Sequence, residues 1–506
     1  MSVLFKRILV YVHKVLGLLL SLLFLMWFTS GIVMIYHSFP RASQQDGIRA
    51  RQVLTDSLPA VETILACVPD SIRLQSLSIE MYLDRPVALL QGKDFRQTLY
   101  LDTFKPMAEK PDWTTIDRLA RQWCDAPVAR IDSLWKVDQW IPHGRLKSEF
   151  PIYKYFFDDP EKHELYISSQ SGRILQFTDK NSRFWAWLGA IPHWVYFTTL
   201  RQNQPLWINF VKWTSGIGCI MVLVGMILGI YYTVRNRRKG ISPYKKKWFR
   251  WHHISGLFFG LFAITFAFSG LMSLTSLPDW MQRKPQAQQP QQAQELPTRP
   301  PRGGGRPAGM PPIGAFRLDY HDALASVENP KGIRWANWEK YPYYEIITDE
   351  GNTLIDARQT EEITVIRLTE SMVRESVTAM HGPDAAYTLE LIHEYDKDYF
   401  GKAKRNLPLP VYRVIMHDDE MHTRYYYNPE TLSRQTVNYN SRVKRFLYQG
   451  LHSLQIKFLT DRPVLWNIVM YTLLIGGTFL SLTGVVLSAR WLVRKIKKGF
   501  RKLKLK

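Results

Sequence analysis

Four long stretches of the chain contain no aspartate, glutamate, lysine or arginine, and large aliphatic and aromatic residues fill their centres. They are residues 15–40, 213–234, 251–278 and 463–489. Each is longer than the roughly 18–20 residues that a helix needs to cross a bilayer. Buried helices of large soluble proteins usually keep a polar face. The pattern therefore predicts four transmembrane helices.

Between these stretches, short runs alternate apolar and polar residues. The run FPIYKYFFDDPEKHELYISSQSGRILQFT (150–178) has a copy at 409–437, and 340–359 has the same character. This alternation around turn residues is typical of β-hairpins. Residues 113–126 and 367–380 have helical spacing instead, and we expect them to cover one face of a sheet.

Constant offsets relate the first part of the chain to the second, which indicates an internal repeat. An offset of 239 aligns His13 with His252, Gly17 with Gly256, and Ser30–Gly31 with Ser269–Gly270. An offset of 259 aligns Pro151 with Pro410, His163 with His422, His193 with His452, and Gly225 with Gly484. The halves, 1–240 and 241–506, each contain a span, a long polar segment and a second span. Two spans per half return the chain to the same side, so we expect parallel halves related by a pseudo-twofold axis.

The predicted fold class is therefore a membrane α-helical protein with four transmembrane helices in two parallel pseudo-twofold repeats, and with α+β extracytoplasmic domains. The expected order is a first span (1–40), a first outer domain (41–205), a second span (206–234), a basic loop (235–250), a third span (251–278), a flexible Pro/Gln/Gly-rich linker (279–313), a second outer domain (314–462), a fourth span (463–489) and a basic tail (490–506).

Charge orients these elements. The net charge is +22, and most of it lies in residues 1–14, 235–250 and 490–506, which carry three, eight and nine basic residues and no acidic one. Basic residues in short loops mark the cytoplasmic side, so both termini and the central loop are expected there. The first span lacks a small-residue cleavage site and is expected to stay as an anchor. Because these basic residues lie next to the spans, we expect them to contact anionic lipid, and we expect the protein not to bind nucleic acid.

The three cysteines exclude several cofactor classes. No CxxC or CxxCH occurs, which argues against zinc ribbons, iron–sulfur clusters and covalently attached c-type haem. In an oxidising compartment Cys67 and Cys124 either form a disulfide or stay free, and both alternatives are open.

Histidines are the main candidates for chemistry. His13 and His252 each occupy the cytoplasmic mouth of the first span of their half, and a twofold axis would bring them to the same depth. Two neutral imidazoles arranged in this way could ligate one haem iron, with Gly17 and Gly256 leaving room for the macrocycle. His253 is an alternative to His252, because adjacent helical residues point about 100° apart. Interfacial histidines and packing glycines are the structural alternative.

A second symmetric pair, His193 and His452, precedes the second span of each half on the opposite face. A second haem b is the simplest hypothesis there, and a structural role in an aromatic belt is the alternative. Fourteen residues separate His13 from Trp27, which is about 21 Å of helix. The strand histidines His163 and His422 are weaker candidates for substrate binding.

The sequence resembles the PepSY-associated transmembrane family. The resemblance is carried by a histidine inside a span with a downstream Ser-Gly, by a hairpin-rich outer domain, and by a histidine ahead of a second span. The motif QGLHSLQIKFL around His452 fits well, whereas Pro192 departs from the pattern before His193. The resemblance implies PepSY-like outer domains and a bacterial inner-membrane protein of iron acquisition. Some relatives are b-type haem reductases of ferric siderophores.

The leading hypothesis is a di-haem b inner-membrane ferric-chelate reductase. Iron would be the metal at His13, His252, His193 and His452, and electrons would come from a separate cytoplasmic reductase or a membrane quinol. A transporter is one alternative, although no carboxylate lies within a span to couple protons. A non-enzymatic PepSY-type binding or regulatory protein, acting by peptidase inhibition, is the other.

Overall fold

The computed structural model describes residues 2–55, 57–236, 238, 240–284, 312–360, 362–401, 406–417 and 419–503. Most of the linker predicted at 279–313 falls at 285–311, outside the described residues. The helices are α1 (Val3–Met34), α2 (Gln44–Ala50), α3 (Val61–Leu65), α4 (Trp113–Trp123), α5 (Lys180–Leu188), α6 (Ala190–Trp194), α7 (Thr198–Arg201), α8 (Gln204–Arg235), α9 (Lys247–Ser273), α10 (Tyr320–Ala325), α11 (Glu370–His381), α12 (Tyr439–Arg445), α13 (Leu451–Ser453), α14 (Lys457–Thr460) and α15 (Pro463–Leu503).

The strands form three antiparallel sheets. They are β1 (Leu74–Tyr82), β2 (Arg85–Gly92), β3 (Arg96–Tyr100), β4 (Val128–Leu134), β5 (Ile152–Phe157), β6 (Glu164–Ser168), β7 (Ile174–Thr178), β8 (Gly332–Trp338), β9 (Tyr341–Ile347), β10 (Asn352–Asp356), β11 (Tyr387–Ile392), β12 (Val411–Met416), β13 (Arg424–Tyr427) and β14 (Arg434–Val437).

Four helices in the described part of the chain, α1, α8, α9 and α15, are long and apolar enough to cross a membrane. They match the four uncharged stretches, and α1 and α8 begin well before them. An uncharged window marks only the part of a helix that lies in hydrocarbon. Beyond it the helix continues while long basic side chains extend towards water.

The four long helices form one bundle. Helix α1 packs mainly against α15 and α8 mainly against α9, so both long helices of the first half contact the second half. Glycines permit this close packing, because a Cβ atom at Gly477 would lie 2.4 Å from the Phe28 ring and one at Gly218 would lie 2.7 Å from the Phe24 ring. We call the end where α1 begins and α8 ends the basic end, and the opposite end the sheet end.

A six-stranded sheet with the order β10-β9-β8-β1-β2-β3 joins the two halves. Its central pair is β1 with β8, in which Ile79 lies opposite Ile333 and both side chains are fully buried. One sheet thus takes strands from both of the outer domains expected at 41–205 and 314–462. Backbone pairing between strands that lie so far apart in the chain leaves no local signal.

Each half also has its own four-stranded sheet, β4-β5-β6-β7 in the first and β11-β12-β13-β14 in the second. The hairpins predicted at 150–178 and 409–437 form the last three strands of each. The predicted helices appear as α4, which packs on the first sheet, and α11, which packs on the second. Four long helices with sheet-rich domains make this a helical membrane fold with α+β domains.

The structure corrects the alignment of His163 with His422. In the first half, Asp159 accepts a hydrogen bond from the backbone N–H of His163; in the second, Asp419 accepts one from Thr423. His422 instead matches Lys162, since both have a positive φ. The turn before Asp419 is one residue longer than the turn before Asp159, so the offset changes from 259 to 260 within this hairpin.

The possible disulfide is absent, because Cys67 and Cys124 are both free. Cys67 packs against the core of the six-stranded sheet, whereas Cys124 packs against the core beneath α4.

Candidate functional site

The structure brings His13 of α1 and His252 of α9 together at the basic end of the bundle. Their ring centres are 6.1 Å apart and the ring planes are inclined by 42°. Nδ1 of His13 lies 3.0 Å from the carbonyl oxygen of Met221 in α8. Nδ1 of His252 lies 2.9 Å from the hydroxyl oxygen of Thr483 in α15. Each ring is therefore held by the second long helix of its own half.

Two glycines make room for these rings. A Cβ atom at Gly225 would lie 2.5 Å from Cε1 of His13, and one at Gly484 would lie 3.5 Å from Cε1 of His252. Gly17 and Gly256, which the sequence placed near a macrocycle, both face α15. A Cβ atom at either position would lie 3.7 Å from the nearest α15 side chain, which is ordinary contact.

His253, the alternative to His252, is directed elsewhere. Its Nε2 lies 3.1 Å from the carbonyl oxygen of Gly229 and 3.3 Å from the Thr233 hydroxyl, and its ring packs on Tyr244. The geometry therefore pairs His252 with His13 and ties His253 to α8.

His193 and His452 form a second pair at the sheet end. They lie in the short helices α6 and α13, with ring centres 5.9 Å apart and planes inclined by 60°. Nδ1 of His193 lies 3.2 Å from both the Trp27 carbonyl and the Ser30 hydroxyl of α1. This contact gives the Ser30–Gly31 motif a physical role.

The second half repeats these contacts. Nδ1 of His452 lies 3.0 Å from the Ser269 hydroxyl and 3.3 Å from the Phe266 carbonyl of α9. Phe266 and Tyr448 flank the His452 ring. Both serines donate their own protons to backbone carbonyls of their helices, so they accept from the imidazoles.

The backbone around the sheet-end pair is also the same in both halves. Two residues after each histidine, Val195 and Leu454 adopt left-handed conformations with φ of 53° and 49°. A β-branched valine there is strained, and such strain concentrates at functional sites. Indole N–H groups of Trp207 and Trp466 donate to the carbonyls of the residues just after the histidines, at 2.8 and 2.9 Å.

These hydrogen bonds assign the protons of the four imidazoles. A carbonyl oxygen only accepts, so Nδ1 carries the proton in His13, His193 and His452. Thr483 donates its own proton to Leu480, so it too accepts, from His252. Within the described residues Nε2 of these four histidines makes no hydrogen bond. Each therefore keeps a lone pair on Nε2, with Nδ1 anchored as in metal-ligating histidines.

The spacing of both pairs fits one metal between two imidazoles. A metal–imidazole bond is about 2 Å long and a ring nitrogen lies about 1 Å from its ring centre, so two such ligands have centres about 6 Å apart. Burial lowers the pKa of His452, and burial together with the nearby His452 lowers the pKa of His193 to about 4. Both are then neutral near pH 7, which is the ligand form.

The two pairs lie at matched depths. Fourteen residues separate His13 from Trp27, and fourteen separate His252 from Phe266, whose carbonyls contact the sheet-end histidines. This corresponds to about 21 Å along each helix. The packed rings of Phe24, Phe28 and Phe266 fill the space between the levels.

The weaker candidates, His163 and His422, lie in hairpins of two different sheets. His163 lies 2.7 Å from Asp159 and 3.5 Å from Glu161, and its ring stacks on Phe177 at 4.8 Å. The Asp159 carboxylate also accepts hydrogen bonds from backbone N–H groups of the hairpin turn, so its contact with His163 has a structural explanation. His422 is exposed on its turn.

Sequence reasoning named the four paired histidines but not all of their partners. Thr483 gave no signal, because a lone threonine in a span usually bonds its own helix. The buried Arg201, next to α8, also passed unnoticed among the sheet-end residues.

A family model described as PepSY-associated TM region matches residues 10–494. No curated protein matches the sequence.

Proposed function

Because the chain belongs to the PepSY-associated TM region family, we propose that this multi-pass membrane protein is a di-haem b electron-transfer protein. It reduces a ferric chelate, such as a ferric siderophore, on the periplasmic side of the bacterial inner membrane. Haem supplies one-electron chemistry when bound, and axial ligands help set its potential. The carrying observation is that four histidines form two pairs, one at each end of the bundle, each with Nδ1 anchored.

The residues of this chain position and insulate these sites. Met221 and Thr483 hold the basic-end rings, and Ser30 and Ser269 hold the sheet-end rings. The packed apolar core of the bundle separates the two levels from water. That arrangement suits electron passage across a bilayer without an aqueous pore.

The proposed topology has two parallel halves related by a pseudo-twofold axis. Corresponding hydrogen bonds at Ser30 and Ser269, and at Trp207 and Trp466, support it. The basic residues around the basic end support a cytoplasmic location for the termini. The sheets and the His193–His452 pair then face the periplasm, where a ferric chelate arrives.

The basic end offers a place for an electron donor. A cavity of about 360 Å³ opens there between α1, α8 and α15, and Lys6, Arg7, Lys14 and Lys495 line it. An acidic surface on a separate cytoplasmic reductase would complement these charges. A membrane quinol is the other donor class. The electron reduces Fe(III) to Fe(II), and the chelate then holds the iron less tightly.

The test is an absorption spectrum of the detergent-purified chain, oxidised and then dithionite-reduced, with haem quantified per chain. We expect about two b-type haems with six-coordinate spectra. His13→Ala with His252→Ala should remove one haem, and His193→Ala with His452→Ala should remove the other and abolish ferric reduction. His393→Ala, at an exposed position outside both pairs, is the control. A colourless protein from haem-replete cells contradicts the proposal and favours a binding or regulatory role.

A further inference from the structure

Arg201 is a buried cation at the sheet end of the bundle. It is the last residue of α7, eight residues after His193 in the chain, and it is 8% exposed. Its guanidinium lies over the rings of Tyr196 and Trp207, at 5.0 and 4.5 Å from their centres. It is thus largely buried and packs against these two rings.

No acidic partner accompanies this charge. Among the described residues no carboxylate forms an ion pair with Arg201, and its buried Nε has no hydrogen-bond partner. Buried charges are normally paired and hydrogen-bonded, because their desolvation is costly. Contact with aromatic faces offsets only part of that cost.

The surroundings of Arg201 are positive as well. Burial, and then Arg201, Arg145 and Arg41, lower the pKa of His143 to about 4. His143 lies edge-on to the Tyr196 ring, with centres 6.1 Å apart. Its loop is pressed onto the end of α7, since a Cβ atom at Gly144 would lie 2.1 Å from the Gln202 carbonyl oxygen. Three arginines from three segments of the chain, Arg41, Arg145 and Arg201, thus act on His143.

The second half builds the same turn without this cluster. Trp466 repeats the indole bond of Trp207, yet Thr460 stands where the first half has Arg201. The nearby Lys457 is paired with Asp461. The fold of the turn does not need a buried arginine, so the charge calls for another explanation.

We propose that Arg201, with Arg41, Arg145 and His143, binds a carboxylate of an anionic ligand beside the His193–His452 pair. This inference rests on the proposed function, under which the carboxylate has two sources. It belongs either to a ferric chelate of the citrate class or to a propionate of a haem held by that pair. Arginine offers a planar fork of donors that matches a carboxylate.

The experiment compares Arg201→Gln with Arg462→Gln in the full-length protein. Arg462 is a matched control, because it also lies over an aromatic ring, Phe458, but is exposed. Calorimetry measures binding of gallium(III) citrate and of a gallium(III) hydroxamate without carboxylates. Neither needs electron transfer, so failure of the proposed function leaves this readout intact. Haem content and midpoint potential are measured on the same samples.

If the chelate is the source, Arg201→Gln weakens citrate-complex binding about tenfold to a hundredfold and leaves the hydroxamate complex unchanged. If a propionate is the source, haem content or the potential of one haem changes and both chelates bind as before. If neither changes, Arg201 is only an aromatic-stacking residue and the proposal is overturned. Arg145→Gln, at an exposed position, gives a smaller change of the same kind should Arg201→Gln not fold.

Discussion

Gly225 in α8 packs so closely on His13 in α1 that a Cβ atom there would lie 2.5 Å from Cε1 of the ring. Real Cβ atoms do not approach a neighbour so closely, so Gly225→Ala must displace the imidazole. The ring would then lose its 3.0 Å bond to Met221 and its place opposite His252. On the proposed function, we expect Gly225→Ala to lose the haem proposed at the basic end and to keep the one proposed at the sheet end, measured as haem per chain.

Gly216→Ala provides the matched control on the same helix, since nothing lies within 4 Å of a Cβ atom there. It should keep both haems. Two haems in Gly225→Ala would show that His13 is not a ligand in the observed rotamer.

The serine contacts make a second prediction. Ser30 and Ser269 accept hydrogen bonds from Nδ1 of the sheet-end histidines, and such partners of a ligand typically change metal affinity by about 10–100-fold. Because the Trp27 and Phe266 carbonyls remain, we expect the lower end of that range for Ser30→Ala with Ser269→Ala. The measurement is the rate of haem transfer to an excess of apomyoglobin.

Thr29→Ala is the control, because Thr29 neighbours Ser30 but bonds only backbone carbonyls of its own helix. It should leave the transfer rate unchanged. Equal rates in all variants would mean that the serines do not orient the ligands.

A third prediction concerns the contribution of His143 to the loss of stability at acid pH. Its folded pKa is about 4, below the model-compound value of 6.5, owing to burial and then to Arg201, Arg145 and Arg41. Below pH 6.5 the unfolded chain therefore takes up a proton that the folded chain does not, so stability falls as pH falls from about 6.5 towards 4. His143→Phe keeps a ring beside Tyr196 and removes this contribution. The fall in Tm between about pH 7 and about pH 5 should shrink in His143→Phe.

The exposed His393 supplies the comparison for that experiment. His393→Phe should show the same fall in Tm as the unaltered protein. An identical fall in His143→Phe would mean that burial and the arginines do not lower the pKa of His143.

Local patterns predicted much of this molecule. Uncharged windows found the four long helices, alternation found β5–β7 and β12–β14, and helical spacing found α4 and α11. The constant offsets that relate His13 to His252 and His193 to His452 identified four histidines that lie in two pairs in the structure. These signals succeed because they depend on neighbours in sequence or on constant offsets between similar stretches of the sequence.

Other features depend on contacts that no local pattern encodes. The pairing of β1 with β8 joins residues about 250 positions apart, and the longer turn before Asp419 shifts the offset between the two hairpins by one residue. Arg201 is basic like many interfacial residues, and only the fold shows that it is buried without a carboxylate.

The shared sheet itself gives the last prediction. Ser78 of β1 lies directly opposite Arg334 of β8, and residues facing each other across antiparallel strands have Cβ atoms about 4.5–5.5 Å apart. In a cysteine-free background, Ser78→Cys with Arg334→Cys should form a disulfide, which needs Cβ atoms only slightly closer. With a protease site placed in 285–311, the cleaved halves should then run together on a non-reducing gel. Ser78→Cys with Glu345→Cys is the control, because Glu345 lies one strand further away, at about 10 Å. Cross-linking of the control pair as efficiently as the test pair would contradict the register of the six-stranded sheet.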